Sequence, residues 1–543
     1  MNEATEPAGT EPWWRNAVIY QVYVRSFADS DGDGTGDING IRSKLPYLAE
    51  LGVDGLWVNP WYASPLRDGG YDVADYRSIE PIYGTIDDAT AMIEEAHELG
   101  IRVLVDLVPN HTSSDHKWFI EASAAPIGDR SRDRYIIRDG TGVDGSEPPN
   151  NWTSVFGGSA WERLPDGQWY LHLFDTSQPD LNWTNPEVQD EFRDIFRFWL
   201  DRGADGFRVD VAHGMAKDMS FPDAEATGSV LSNAKTPNHP YWDRDDLHVY
   251  VRQWREVLDA YNDRMMVAEA WVAPDRLHLY LRPDEYHQSF AFDFLQSNWD
   301  REELETNVQQ TLAATGSVGS VPTWTLSNHD VMRHPTRYGL PNDTKWRTWP
   351  LDGPHDLLDA EAGLRRARAG ILFMLALPGS VYLYQGEELG LPEVYDLDHD
   401  VLDDPVWTLS GNTQKGRDGC RVPIPWERTG PSLGFSSGEG WLPQPDYFAD
   451  LSAESQKGVP GSTLELYRSA LTLRRQHLPS TAEIEWDDSA PGGILGFSRP
   501  GGLRCWVNFG PGSVGLPDGA DVVLTSESDT GSQLAVDTAA WFV

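Results

Sequence analysis

The sequence predicts a (β/α)8 barrel with two additions, an inserted subdomain after the third strand and a small C-terminal antiparallel β domain. Eight short apolar runs alternate with amphipathic helical patterns, which is the order of a parallel barrel. Three of these runs lead into an acid, at Asp210, Glu269 and Asp330. Because the carboxyl ends of barrel strands share one mouth, we expect these three acids to meet there.

The predicted strands are rich in Val, Ile, Leu, Tyr and Trp, as buried parallel strands are. Capping signals mark the helices between them. Thr85 and Asp88 form a capping-box pattern, and Pro186 after Asn185 opens a helix that runs to about Arg202. The predicted strands are Ala17–Val24, Gly55–Asn59, Arg102–Val108, Gly206–Val211, Met265–Ala270, Ser289–Phe294, Thr323–Ser327 and Gly379–Gln385, and the last barrel helix is Leu464–His477.

Two segments fall outside this alternation. The stretch after the third strand is long and carries Gly, Pro and Trp, which predicts a lid-like subdomain over the barrel mouth. Beyond residue 478, short apolar runs spaced by Gly and Pro predict antiparallel strands. The predicted domains are therefore a catalytic barrel over 1–111 and 181–478, an inserted subdomain over 112–180, and a C-terminal β domain over 479–543.

Composition excludes several partners. The formal net charge of −42 argues against nucleic acid and anionic membranes, which both require basic surfaces. The acidic, polar start and the lack of a long apolar run predict neither a secretory signal nor a membrane span, and hence a cytoplasmic protein. Cys420 and Cys505 lie far apart in sequence, which predicts free thiols rather than a disulfide or a zinc site. The sequence does not indicate an oligomeric state.

The three acids suit cleavage of a glycosidic bond, which needs a carboxylate nucleophile and a protonated general acid. Strand alternation places Arg208 on the same face as Asp210, and a neighbouring Arg favours the ionised form that a nucleophile requires. Glu269 lies between two alanines, an apolar setting that favours a protonated carboxyl. Asp330, preceded by His329, is expected to hold sugar hydroxyls.

Four short segments containing these residues resemble the characteristic regions of glycoside hydrolase family 13, the α-amylase family. They occur in order as Asp106-Leu-Val-Pro-Asn110-His111, Gly206-Phe-Arg208-Val-Asp210, the segment around Glu269, and Ser327-Asn-His329-Asp330. The resemblance implies that Asp210 is the nucleophile, Glu269 the acid/base and Asp330 the stabiliser of the transition state. It also implies that His111, Arg208 and His329 contact the sugar at the cleavage subsite.

Two further segments are similar to the α-glucosidase and oligo-1,6-glucosidase branch of that family. They are Gln178-Pro-Asp-Leu-Asn182 and Gly416-Arg-Asp-Gly419, although the following Val422-Pro-Ile-Pro425 departs from the usual wording. In that branch a matching Asp and Arg meet at the bottom of the pocket. The resemblance assigns them to Asp72 and Arg417, with Tyr71 as a stacking face for the sugar ring.

The run Asp29-Ser-Asp-Gly-Asp-Gly-Thr-Gly-Asp37 predicts a cation site, because alternating Asp residues with intervening Gly can surround a hard cation with oxygen atoms. An EF-hand is excluded, since its twelfth position is Gly40 instead of Glu. The run is similar to the calcium loop of the same branch. This similarity implies a structural Ca²⁺ held by Asp29, Asp31, Asp33, Asp37 and the backbone carbonyl of Thr35; no organic cofactor is expected.

The leading hypothesis is a retaining, exo-acting α-glucosidase that releases α-glucose from short α-1,4, and to some extent α-1,6, gluco-oligosaccharides. Transglucosylation is compatible with it. Two alternatives remain open at this stage. One is a sucrose- or trehalose-converting transglycosylase or isomerase of the same fold; the other is an inactive relative that serves as a binding subunit. Val211 resembles enzymes that accept α-1,6 bonds, whereas Ala212-His213 departs from the oligo-1,6-glucosidase pattern.

Overall fold

A nearly closed parallel barrel forms the centre of the molecule in the computed structural model, which describes residues 11–225, 235–479, 481, 483–527 and 533–543. The strands are β1 (Val18–Val22), β2 (Gly55–Val58), β3 (Arg102–Leu107), β4 (Gly206–Val209), β5 (Met265–Ala268), β6 (Gln288–Ser289), β7 (Thr323–Thr325) and β8 (Ser380–Tyr384). Their order in the sheet is β6-β5-β4-β3-β2-β1-β8-β7. A backbone hydrogen bond of 2.9 Å from Ala291 N–H to the carbonyl of Thr323 links the end strands β6 and β7. The predicted fold class is confirmed.

A helix follows each barrel strand and covers it from outside. The helices are α1 (Ile38–Leu51), α2 (Ile86–Glu98), α3 (Pro186–Leu200), α4 (Leu247–Leu258), α5 (Leu277–Tyr280), α6 (Arg301–Gly316), α7 (Ala360–Ala376) and α8 (Thr463–His477). The predicted capping box of Thr85 and Asp88 is present at the start of α2. Asn185 caps α3 by accepting from Glu187 N–H. α3 ends at Leu200, two residues before the predicted Arg202.

The sixth strand differs from its prediction. β6 ends at Ser289, and the apolar residues expected to continue it form a short helix, Phe292–Gln296. The physical reason is an ambiguity of short apolar runs, whose periodicity does not separate a buried strand from a buried helical turn. The Phe292 ring stacks on Trp271 with ring centres 3.9 Å apart. The short helix therefore packs against Trp271, which follows β5.

Two antiparallel sheets accompany the barrel. Between β3 and α3 the chain forms a three-stranded sheet, with strands Ile137–Asp139, Trp161–Arg163 and Gln168–Leu171. After α8 a five-stranded sheet contains Glu485–Trp486, Ile494–Ser498, Arg504–Asn508, Val522–Thr525 and Ala539–Phe542. This second sheet packs on α7, where Trp541 Nε1 donates to the carbonyl of Leu372 at 3.0 Å. The domain boundaries at residues 112, 180 and 478 stay predictions.

Both cysteines are buried and free, as predicted. Among the helices that the structure describes, none combines the length and apolar character needed to cross a membrane.

Candidate active site

The three acids lie together in a cavity of about 860 Å³. Asp210 directly follows β4, Glu269 directly follows β5, and Asp330 lies beyond β7. Tyr71, His111, His329 and Arg417 also line this cavity. The barrel thus brings the predicted acids together at the carboxyl ends of its strands. Two further stretches of the chain line the same cavity, Thr153–Gly158 and Thr344–Thr348.

Arg208 is the centre of the charged network beneath the cavity. Its Nη1 donates to Asp210 Oδ1 at 2.5 Å and to Asp106 Oδ1 at 2.9 Å, and its Nη2 lies 2.8 Å from Glu269 Oε2. Strand alternation explains this placement, because Arg208 faces the barrel interior while Phe207 packs outward on Phe196 of α3, with ring centres 4.5 Å apart. One buried guanidinium is therefore shared by three carboxyls.

This sharing changes the expected ionisation of Asp210. Burial raises the pKa of Asp210 well above its usual range; Arg208 lowers it, and the carboxyls of Glu269 and Asp106 raise it. The sequence had suggested that Arg208 keeps Asp210 ionised, but its single charge is divided among neighbours. Asp210 and Glu269 contact the two terminal nitrogens of the same guanidinium, so the two carboxyls lie close together.

Glu269 is held by donors from three directions. Its Oε2 accepts the backbone N–H of Val211 at 2.9 Å, besides Arg208, and its Oε1 accepts Nε1 of Trp271 at 2.9 Å. Val211 has a positive φ of 44°, which is strained for a β-branched residue. Such strain is found where surrounding contacts fix a functional geometry; here it aims the Val211 N–H at the carboxyl.

Asp330 lies among cationic donors. Its Oδ1 accepts from Arg417 Nη1 at 3.1 Å and from Arg421 Nη2 at 3.2 Å, while His329 Nε2 is 3.3 Å from Oδ2. Burial raises the pKa of Asp330, but His329, Arg417 and Arg421 lower it, so that it lies far below its ordinary value. Asp330 is therefore ionised at neutral pH.

His329 is neutral and its ring is fixed. Burial lowers the pKa of His329 well below its usual value. Gln21 Nε2 lies 2.7 Å from His329 Nδ1 and also donates to Asn59 Oδ1 at 2.9 Å. Because the amide nitrogen only donates, Nδ1 must be the acceptor and the ring proton lies on Nε2, toward Asp330. The ring stacks on Tyr71 at 5.3 Å between centres.

Asp106 connects Tyr71 to Arg208 through hydrogen bonds. Asp106 Oδ2 accepts the Tyr71 hydroxyl at 2.9 Å and Nε1 of Trp57 at 3.0 Å. Burial raises the pKa of Asp106 to about 6, although the Arg208 charge opposes this. Sequence reasoning named Asp106 as part of a motif but gave it no role in the site. Its position at an inward-facing end of β3 was the available indication.

His111 is also neutral. Burial lowers the pKa of His111 to about 4. Its Nε2 lies 3.0 Å from the carbonyl of Tyr71, and its ring centre is 5.1 Å from that of Phe174. His111 therefore borders the cavity between the loop after β2 and the inserted segment.

The predicted pairing of Asp72 with Arg417 is wrong. Arg417 Nη2 contacts Asp68 Oδ1 at 2.6 Å. Asp72 is fully buried, and its carboxylate accepts from the Ser64 hydroxyl at 2.9 Å and the Arg67 N–H at 3.0 Å. Among the described residues that line the cavity, Asp68 is present and Asp72 is not.

Two glycines between these acids explain the difference. Gly69 and Gly70 have φ of 59° and 103°, in the region that favours glycine. They turn the loop so that Asp68 faces the cavity and Asp72 faces the loop interior. Arg417 is further anchored by Asp404, whose Oδ2 is 2.6 Å from Nε. Sequence reasoning missed both Asp68 and Asp404.

Three of the four carboxylates predicted to hold a cation in the loop 29–37 lie close together. Carboxylate oxygens of Asp29, Asp31 and Asp37 lie within 4.8 Å of one another, a spread that fits ligands about 2.3–2.6 Å from one Ca²⁺. Asp33 is outside this group, and its carboxylate accepts the Thr35 N–H at 2.7 Å. Asp37 also caps α1 by accepting from Gly40 N–H. The oxygen set suits a hard cation, and the remaining ligands stay predictions.

A known protein family matches most of this chain. The family described as "Alpha amylase, catalytic domain" matches residues 21–483. The chain belongs to the α-amylase family of glycoside hydrolases. The predicted family and the prediction of an enzyme are thereby confirmed.

Individual relatives are similar over most of the chain. A "Probable alpha-glucosidase" of Rhizobium meliloti (strain 1021) is 39% identical over 522 residues, covering 92% of this chain and 90% of that protein. An "Oligo-1,6-glucosidase" of Parageobacillus thermoglucosidasius is 37% identical over 498 residues, covering 86% and 84%. A solved structure of the trehalulose synthase MutB superposes with a TM-score of 0.85 at 30% identity, covering 98% and 100%.

Proposed function

We propose that the chain is a retaining, exo-acting α-glucosidase that acts on short α-1,4, and to some extent α-1,6, gluco-oligosaccharides. The observation that carries this proposal is that Asp210 and Glu269 contact the two terminal nitrogens of one guanidinium in the cavity. An inverting pair lies about 6.5–9.5 Å apart to admit a water molecule, whereas a retaining pair is closer. Two carboxyls bridged by one guanidinium fit the closer, retaining case. Relatives named alpha-glucosidase and oligo-1,6-glucosidase support the substrate class.

The proposed roles follow from the charge of each group. Asp210 attacks the anomeric carbon, and Glu269 protonates the leaving oxygen, so the pair needs one proton in total. As the glycosyl-enzyme forms, the sugar gains positive character. Asp330, an anion beside that position, stabilises the charge. His329 Nε2–H and Arg417 then hydrogen-bond the sugar hydroxyls.

Exo action is supported by the pair of Arg417 and Asp68. Both side chains are largely buried, and Arg417 also contacts Asp330 and Asp404. A side chain held by three carboxylates does not move aside readily to let a glucan chain pass. We therefore place the non-reducing terminal glucose against this pair.

Two parts of the proposal rest on other observations. Similarity to an isomaltulose synthase that was solved with its natural substrate sucrose favours sucrose conversion as the second candidate, since the same acids serve when a sugar replaces water as acceptor. A structural Ca²⁺ in the loop 29–37 rests on its clustered carboxylates. It would join the loop after β1 to α1 and takes no part in the reaction.

The deciding experiment is proton NMR of the first products from maltotriose, with sucrose, trehalose and isomaltose as parallel substrates. We expect α-glucose and maltose as the first products, and loss of turnover by several orders of magnitude in Asp210→Asn. Asn is isosteric, so unchanged thermal melting would show that the fold is intact. β-Glucose as first product, or wild-type turnover by the variant, would overturn the mechanism. Trehalulose or isomaltulose as the main product from sucrose would favour the second candidate.

A further inference from the structure

The segment between the short helix His334–Gly339 and α7 forms an outer wall of the cavity. Residues Thr344–Thr348 of this segment line the opening. Lys345 and Arg347 are exposed there, and we call these two side chains the cationic wall. Because the terminal glucose is placed against the buried pair of Arg417 and Asp68, the exposed edge of the cavity is the side through which a leaving group would exit.

The cationic wall differs from the other cations of the site. Arg208, Arg417 and Arg421 all contact carboxylates. Within the described part of the chain, Lys345 and Arg347 make no ion pair. The guanidinium carbon of Arg347 lies 5.1 Å from the ring centre of Trp346, a contact that leaves its N–H donors available.

Composition does not account for two free cations here. The chain has 85 acidic and 43 basic residues, so a cation at a random surface position has many possible partners. Both cations border the same cavity as Asp330 and Arg417.

We propose that the cationic wall is an acceptor-side subsite for an anionic aglycone, that is, a carboxylate or phosphate on the leaving group or on the sugar acceptor. The proposal rests on the proposed function, because an acceptor side exists only if the acids cleave a glucosidic bond. Free Arg and Lys donors form strong, charge-assisted hydrogen bonds with carboxylate and phosphate. They would also offset the repulsion that a strongly acidic protein exerts on an anionic substrate.

The experiment measures binding without turnover. Three aryl α-glucosides with a 4-carbamoyl, 4-carboxylate or 4-phosphate substituent are titrated calorimetrically into the Asp210→Asn protein at low ionic strength. We expect both anionic glucosides to bind about tenfold more tightly than the carbamoyl glucoside, as one charge-assisted contact allows. The tighter of the two identifies carboxylate or phosphate as the preferred group.

Further substitutions in the Asp210→Asn protein test which side chains cause the anion preference. Adding Arg347→Gln or Lys345→Gln should remove most of the anion preference and change the Kd of the carbamoyl glucoside by less than about twofold. Arg428→Gln is the matched control, because it removes the same charge from an exposed arginine paired with Asp450. It should leave the preference intact.

Several outcomes would overturn the inference. They are equal binding of the three glucosides, equal losses for all three in the wall variants, or the same loss in Arg428→Gln. Turnover of the carbamoyl glucoside by the wild-type enzyme is followed separately. Anion preference without turnover would refute the proposed function and leave only an anion-binding site at the cavity, whereas turnover without anion preference would refute the subsite alone.

Discussion

One guanidinium organises the carboxyls at the centre of the site. Arg208 contacts Asp106, Asp210 and Glu269, and a single positive charge cannot neutralise three buried negative ones. Burial and the carboxyls of Glu269 and Asp106 therefore outweigh Arg208 and raise the pKa of Asp210.

Gln21 is expected to act on the reaction through His329. Replacing it by Leu removes the donor to Nδ1, so the ring loses both its tautomer preference and its fixed orientation. By analogy with other supporting hydrogen bonds, we expect kcat/KM on maltose to fall about 10- to 100-fold. Gln21→Glu offers an acceptor instead, which favours the charged imidazolium and should shift the pH profile of kcat/KM. An unshifted profile in the Glu variant, with full activity in the Leu variant, would contradict this role.

Asp68 and Asp72 make a matched pair for testing the corrected assignment. Asp68→Asn breaks the charge-assisted contact with Arg417, and we expect kcat/KM on maltose to drop about 10- to 100-fold. Asp72→Asn alters only hydrogen bonds within the loop, so the expected effect is on thermal stability, with kcat/KM changed much less. Kinetics and melting curves of both variants decide the matter. The reverse ranking of the two kinetic losses would restore Asp72 as the sugar-binding acid.

The site shows what single residues in a sequence can indicate. Asp210, Glu269 and Asp330 were predictable, because each lies at a strand end whose position follows from an apolar run. Asp68 was not, because its direction depends on two left-handed glycines within a loop. Asp404 lies 13 residues before Arg417 in an irregular segment. No periodicity in the sequence relates the two.

At the scale of elements, the short β6 shows how a misplaced boundary can matter for the site. Ending β6 at Ser289 allows Phe292 to turn back and stack on Trp271, whose indole donates to Glu269. A continuous strand through Phe294 would have directed these aromatic residues alternately inward and outward. The other barrel strands were placed within a few residues, since their flanking helices carry clear capping or amphipathic patterns.

The loop 29–37 is the element whose stability should depend on calcium. Asp37 belongs both to the carboxylate cluster and to the cap of α1. An ion bound only by the folded state stabilises that state by mass action, about 2.7 kcal/mol at one hundred times Kd. We therefore expect excess chelator to lower Tm and added Ca²⁺ to restore it, with less effect on kcat. Asp31→Asn should weaken the response to Ca²⁺. Unchanged melting, with no metal in elemental analysis of the purified protein, would count against the ion.

At the scale of the whole molecule, the fold was predictable because its parts are repetitive. Alternating strands and helices limit the topology to a few solutions. The three acids at strand ends indicate which end of the barrel carries the site. How the C-terminal sheet packs on α7 was not predictable, because the contact is formed by side chains far apart in sequence. Trp541 and Leu372 are an example.

The burial of Glu387 is expected to make the stability of the whole molecule depend on pH. It follows β8, is 2% exposed, and accepts the Tyr467 hydroxyl of α8 at 3.2 Å. Burial raises the pKa of Glu387 from 4.5 to about 8, although donors from Tyr384 and Tyr467 oppose this. Between these values the folded state holds a proton that the unfolded state lacks. The free energy of unfolding must therefore fall as pH rises through this window.

We expect Tm to fall by roughly 2–5 °C between pH 5.5 and pH 8.5 through this group. Glu387→Gln mimics the protonated carboxyl and should flatten that part of the profile. Its Tm should then exceed that of the wild-type protein at pH 8.5. Glu361→Gln is the matched control, because it removes the same charge from a side chain that is 94% exposed, and it should keep the wild-type slope. Melting curves at a fixed scan rate measure all three proteins. A wild-type Tm that rises over this range, or an equal slope in Glu387→Gln, would show that Glu387 does not hold the proton.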